Sequence, residues 1–334
     1  MALVSEKNVG MLREVLKFPE LLLNGLKRAR ASNLPTLIKE KRKIKHIGMG
    51  ASALVGSYLG TYFKKKDDLS IEVENDLDFS LDTESLFIVY SYSGDTSETV
   101  EAAKRILAGD YKVILASSGG KLKRMAEGRD LPHIQLPKGF ESRSHLPFGV
   151  SYLSYVLSQI FKADANVASE LENSIDTILA KKEEILSNNA INLKSIAEGL
   201  EASFPFAVGD VALSPVLTRF VNQLAENAKH LASSLFLPEG GHNLICPLKC
   251  SKMPVSLFFL QRTSLDKFTA KTFERFKEIL HNRERFQINI DDTKFSWQSL
   301  LYPTFVIDLL SVLVADLKDV NCYDITEIKE MKSI

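Results

Sequence analysis

Leu86-Phe87-Ile88-Val89-Tyr90-Ser91-Tyr92-Ser93-Gly94-Asp95-Thr96-Ser97-Glu98-Thr99 decides the fold. Its first five residues form an unbroken apolar run, the pattern of a strand buried on both faces of a parallel sheet. From Glu98 to Leu107 the spacing becomes helical, with Val100, Ala103 and Ile106 on one apolar face. The hydroxyls of Ser91, Ser93 and Thr96 therefore lie in a strand-to-helix turn. Free N–H groups and the positive dipole end of the helix favour an anion there. Gly94 permits close backbone approach. A phosphate suits such a turn, although composition alone fits ordinary N-capping by Ser, Asp and Thr equally well.

The same alternation extends in both directions. Residues 5 to 31 read as helical, with Pro19 a break point. Ile44 to Ile47 is a short strand, followed by a Gly48–Ser52 turn and a helix to Phe63. Ile71 to Val73, Val113 to Ala116 and His133 to Leu136 read as further strands, and Pro147 to Ile160 as a helix. A long helical stretch from 168 to 200 precedes a second α/β series. In it, strands begin at Pro205, Ser234, Val255 and Phe286, and helices at Leu213, Phe268, Phe305 and Ile325. Such alternation predicts α/β architecture with two domains, 1–163 and 164–334, each a doubly wound, mostly parallel sheet flanked by helices. Ligands of such sheets bind outside the carboxyl ends of the strands. The turns at Gly50–Ser52, Ser91–Thr99 and Ser117–Gly120 all fall on that edge.

The chain has 334 residues, with 42 basic and 42 acidic side chains in balance. No global field favours nucleic acid or an anionic membrane as partner. No apolar stretch reads as long as the ~20 residues of a membrane span, and Leu309 to Leu317 reads as a buried helix. The N-terminus lacks a secretory apolar core, so a cytoplasmic location is expected. Cys246, Cys250 and Cys322 are too few and too odd in number for a disulfide framework. Cys246 and Cys250 near His242 do not supply the four ligands of a metal site.

The turn at 91–99 closely resembles the Ser-Tyr-Ser-Gly-Asn-Thr-Glu-Glu-Thr signature of SIS (sugar isomerase) domains, which holds the phosphate of a phosphosugar. Asp95 and Ser97 depart from it. Gly50-Ala51-Ser52 resembles the family's Gly-Gly-Ser turn, with Ala51 for Gly. Gly139-Phe140-Glu141-Ser142-Arg143 resembles Gly-x-x-Pro-Arg, with Ser142 for Pro. Gln223-Leu224-Ala225-Glu226-Asn227-Ala228-Lys229 resembles Asn-Glu-Asn-Ala-Lys. Leu237-Pro238-Glu239-Gly240-Gly241-His242-Asn243 resembles Pro-Glu-Leu-x-His-Asn. Asp319-Val320-Asn321 resembles Gly-Val-Asp-Pro, and Ile325 to Lys332 resembles the family's closing Val-x-x-Ile-x-x-Leu-Lys.

Together these resemble the double-SIS phosphoglucose/phosphomannose isomerase family, over nearly the whole chain. The resemblance implies a flavodoxin-like sandwich in each half and aldose–ketose isomerisation of a hexose 6-phosphate. It implies a phosphate site from Gly50, Ala51, Ser52, Ser91, Ser93 and Thr96. It implies Glu226 as base, His242 in ring opening, Arg143 beside the developing negative charge and Lys332 in the site. A homodimer with shared active sites is expected, and neither a metal nor a redox cofactor is required. Arg suits its role because its charge is permanent and its donors form a fixed fork, and His because it titrates near neutral pH. Asp95 is expected to point away from a bound phosphate. The competing expectation is a non-catalytic phosphosugar sensor, which needs the phosphate turn but no base.

Overall fold

The computed structural model describes residues 4–32, 43–67, 69–163, 166–187 and 193–332. Residues 164 and 165, at the boundary read from the sequence, and 188–192, inside the long helical stretch, lie outside these ranges. The chain divides into two compact units. The first comprises Phe18–Ile175 with Lys329–Ile334, the second Met1–Lys17 with Asp176–Ile328.

The helical N-terminal stretch is two helices, α1 (Val9–Leu16) and α2 (Phe18–Arg30). Pro19 sits in the first turn of α2, where a missing N–H breaks no helical bond. The first unit continues with β1 (Lys43–Ile47), α3 (Ala51–Lys66), β2 (Ser70–Glu74), β3 (Ser85–Tyr90), α4 (Ser97–Leu107), β4 (Lys112–Ser117), α5 (Gly120–Glu127), β5 (His133–Gln135) and α6 (Leu146–Ile160). Its five strands are all parallel, in the order β2-β1-β3-β4-β5. The chain order reverses between β1 and β3, which makes the crevice beyond their carboxyl ends the topological switch point.

Every residue of β3 is buried, as its unbroken apolar run requires. Phe87 and Val89 pack with Val100, Ala103 and Ile106 of α4 and Leu122 of α5. Ile88 and Tyr90 alternate to the other face, where the Tyr90 hydroxyl abuts Gly149 of α6. Each fully buried side chain of this size contributes roughly 1.5–3 kcal/mol.

After α7 (Val167–Leu186), the second unit holds α8 (Leu193–Glu201), β6 (Phe204–Asp210), α9 (Ser214–Ala228), β7 (Ser233–Leu237), α10 (Ile245–Cys250), β8 (Val255–Arg262), α11 (Lys267–Ile279), β9 (Glu284–Ile290), α12 (Trp297–Leu317) and α13 (Thr326–Met331). Its sheet is parallel, in the order β7-β6-β8-β9, and so repeats the reversal of the first sheet. Leu248 of α10, and Phe273 and Phe276 of α11, pack on Val208, Leu257 and Phe259.

The helix read from Phe305 starts eight residues earlier, at Trp297. Ser296 and Ser299 close a capping box there, and Pro303 is accommodated inside the helix. The resulting 21 residues are long and apolar enough to cross a membrane by length and composition, which the sequence reading did not foresee. Most of that helix is buried inside the protein, and it carries Asp308 in an ion pair. It is a core helix of an α/β unit.

Candidate functional site

The turns after β1 and β3 meet at the switch point of the first sheet. Gly50 takes a positive φ of 53°, so Ala51 need not, and Ala51 simply opens α3. Its methyl is therefore compatible with the turn. Ser52 is buried, and its Oγ accepts the Tyr92 amide hydrogen at 3.4 Å. Beneath it His46 Nε2 meets the Ser52 carbonyl at 2.8 Å, so that nitrogen carries the hydrogen. Burial depresses His46 to a pKa of about 4, against a backbone bond that works the other way. Burial also raises the Tyr90 hydroxyl well above its ordinary value.

The three hydroxyls of the β3–α4 turn converge. Ser91 Oγ lies 2.9 Å from Thr96 Oγ1 and 3.5 Å from Ser93 Oγ. Ser91 Oγ also accepts the Gly94 amide, and Ser93 Oγ the Asp95 amide, each at 3.2 Å. Thr96 is the N-cap of α4, yet its side chain makes no cap bond. The hydroxyl cluster is thus beside a helix start whose amides are left for another acceptor. Gly94 has φ 77°, and a Cβ there would stand 2.0 Å from the Gly119 carbonyl. Only glycine lets these two turns pack backbone to backbone.

Asp95 does point away from the hydroxyls. Its Oδ1 accepts the Lys121 amide hydrogen, in the first turn of α5. Ser97 is exposed as the first residue of α4.

Arg143 belongs to the same unit, in the loop before α6. It is 1 % exposed, which a solvated surface arginine would not be, and its Nη1 lies 3.3 Å from Glu141 Oε2. The Phe140 amide donates to the Tyr92 hydroxyl at 3.1 Å, which ties this loop to the hydroxyl turn. The first unit therefore brings Gly50, Ala51, Ser52, Ser91, Ser93 and Thr96 to one sheet edge, with the Arg143 loop bonded to them. Tyr92 and His145, which serve that bonding, were not singled out from the sequence. Nothing in periodicity or spacing marks them.

Glu226 and His242 lie in the second unit. Glu226 is half-buried in the last turn of α9, and Lys229 Nζ donates to its carbonyl oxygen. His242 is exposed on a short 3-10 turn after β7. Helix α9 ends where β7 begins, so Glu226 stands toward the amino edge of the sheet and His242 beyond its carboxyl edge. The five residues of β7 span on the order of 15 Å between them. One chain does not bring this pair together. Lys332 and Lys329 are both exposed at the C-terminal end.

The corresponding switch point of the second sheet, beyond β6 and β8, is closed by its own charges. Arg262 Nε bonds Asp210 Oδ2 at 2.9 Å, and Asp292 Oδ2 lies 3.4 Å from its Nη1. Ser264 and Ser299 complete the network on Arg262 and Asp292. Two carboxylates already face that guanidinium, and their charge disfavours a phosphate at this edge.

Comparison with known proteins gives two family matches along the chain. Residues 36–132 match the family model of the SIS domain, and 189–334 match that of the bacterial phospho-glucose isomerase C-terminal SIS domain. The chain is 31 % identical over 212 residues to a D-glucosamine-6-phosphate 4-epimerase of Sulfolobus acidocaldarius, spanning 62 % of this chain and 64 % of the relative. It is 27 % identical over 294 residues to a bifunctional phosphoglucose/phosphomannose isomerase of Thermoplasma volcanium, spanning 87 % and 90 %. Among solved structures, the C-terminal domain of glucosamine-fructose-6-phosphate aminotransferase from Francisella tularensis superposes with a TM-score of 0.72 at 16 % identity. That match covers 92 % of this chain and 96 % of the other, and shows the shared fold.

Proposed function

Because the chain belongs to the double SIS-domain sugar isomerase family, we propose that it interconverts glucose 6-phosphate, and mannose 6-phosphate, with fructose 6-phosphate. The observation that carries this reading is the converged Ser91–Ser93–Thr96 turn at the switch point, with a buried arginine in a loop bonded to it. The turn takes the phosphate, and Ser52 and the backbone around Gly50 and Ala51 extend it. Binding energy from this handle, remote from the reacting carbons, orients C1 and C2.

His242 moves the proton that opens the hemiacetal. Glu226 removes the C2 proton of the aldose, leaving a cis-enediolate whose charge Arg143 balances. The O2 hydroxyl proton passes to O1, and the proton taken from C2 returns to C1, which gives the ketose. Positioned acid–base groups contribute about 10²–10⁴-fold, and a preorganised charge on the enediolate adds to it. Lys332 is assigned to the same site as a further cation.

A homodimer supports this chemistry. Glu226 and His242 of one chain are separated by the length of β7, and an exposed His242 is free to serve a neighbouring copy's site. An active species that sediments as a monomer would refute the shared site.

The test is kinetic. Glu226→Gln should abolish turnover in a coupled assay on the three hexose phosphates while the protein still binds them. Retained turnover would remove Glu226 from the role of base.

A second reading draws on the relative at 31 % identity, which is named as a hexosamine-phosphate epimerase. Incubation with glucosamine 6-phosphate, followed by separation of the C4 epimers, discriminates the two. A new epimer without hexose-phosphate isomerisation would favour the epimerase reading.

A further inference from the structure

Four loops at the carboxyl edge of the first sheet meet at Tyr92. Its amide donates to Ser52 Oγ in the turn after β1. Its carbonyl accepts the Ser118 amide hydrogen at 2.8 Å, in the turn after β4. Its hydroxyl accepts the Phe140 amide hydrogen at 3.1 Å. Its ring stacks on His145, with centroids 4.7 Å apart and planes inclined by 24°. Phe140 precedes Arg143 by three positions and His145 follows it by two. One side chain therefore grips the arginine loop on both flanks, while its own backbone is part of the hydroxyl turn.

The grip is reinforced from behind. His145 also stacks on Tyr90, and its Nδ1 bonds the Ser142 carbonyl. A tyrosine suits the task because a rigid ring carries apolar contact and a polar tip with only two side-chain torsions to fix. Phenylalanine would keep the stacking and lose the bond to Phe140. Leucine would lose both.

We propose that Tyr92 is a positioning residue that couples the phosphate turn to Arg143, setting the guanidinium relative to the substrate's handle. The inference rests on the isomerase reading above, in which Arg143 balances the enediolate. Displacing a charge-stabilising group by a fraction of an ångström acts on the chemical step, whereas the phosphate contacts stay in place. The signature is thus a fall in kcat at constant KM.

The experiment compares wild type, Tyr92→Phe, Arg143→Ala and the double variant, with inorganic phosphate as the binding probe. Tyr92→Phe should lower kcat about tenfold, leaving KM and the phosphate inhibition constant within about twofold. In the Arg143→Ala background the same change should cost nothing further, because the two act as one unit. Amide hydrogen exchange at Phe140 and Arg143 should quicken in Tyr92→Phe. Unchanged exchange overturns the positioning role whatever the turnover. So does an equal kcat loss in both backgrounds, or weakened phosphate binding at constant kcat. Full activity in Arg143→Ala alone instead overturns the assignment of Arg143, and the exchange result still decides whether Tyr92 holds its loop.

Discussion

Asp95 and Lys121 are joined across two loops: Asp95 Oδ1 accepts the Lys121 amide hydrogen at 2.9 Å. The carboxylate of the hydroxyl turn thereby caps the first turn of the neighbouring helix α5, whose own N-cap residue is Gly119 and offers no side chain. An acidic group so near a phosphate site is tolerable because a helix N-terminus takes its charge. The asparagine of the SIS signature could make the same bond through its amide oxygen.

This relationship predicts unequal effects of two substitutions. Asp95→Asn should leave stability nearly unchanged. Asp95→Ala should cost about 1 kcal/mol, the usual worth of an N-cap. Urea unfolding of the three proteins measures both. An Asp95→Ala protein as stable as wild type would show that the cap contributes nothing.

Much of this was legible in the sequence, and for stated reasons. Strands β3, β4 and β8 announce themselves because burial on both faces demands unbroken apolar runs. The β1 and β3 turns fall where the sequence places them, because glycines and hydroxyls after such runs mark a strand-to-helix turn. Helix α10 escaped notice, being six residues long with a proline inside. The start of α12 was placed too late, because Pro303 argues locally for a boundary that tertiary packing overrides.

Side-chain relationships across long separations were not legible. Arg219 and Asp308 are 89 positions apart, yet form a two-bonded pair. Asp319 illustrates a middle case. It occupies a left-handed position, with φ 54°, just past the end of α12. The Asp319 amide bonds the Asp316 carbonyl and the Val320 amide the Ala315 carbonyl, closing the helix as a Schellman cap. The family motif has glycine there, and Asp is among the few residues that replace it at modest cost.

The Arg219–Asp308 pair fixes α9 against α12. Arg219, Gln223 and Asn227 recur every four residues on α9, and reach Asp308 and Ser311 of α12. All are buried. Breaking one partner strands a charge in the interior, so Arg219→Met alone should destabilise by roughly 3–5 kcal/mol. The double change Arg219→Met with Asp308→Leu removes both charges and should recover most of that loss. Denaturant titration of the single and double variants checks this. A double variant no more stable than the single would mean that the polar seam itself, and not the stranded charge, carries the energy.

His46 gives the protein a pH-dependent component of stability. Burial holds its folded pKa at about 4, against an ordinary value of 6.5. Between those limits the unfolded chain binds the proton and the folded chain does not. Stability is therefore complete above about pH 6.5, and falls as pH drops toward 4. It levels off once the folded form is protonated as well. The full shift corresponds to about 3 kcal/mol. Replacing His46 by leucine removes the titration, together with the bond to the Ser52 carbonyl. The variant should then show a flatter dependence of the urea midpoint on pH between 6.5 and 4, from a lower starting value. Parallel slopes in the two proteins would assign the acid sensitivity to other groups.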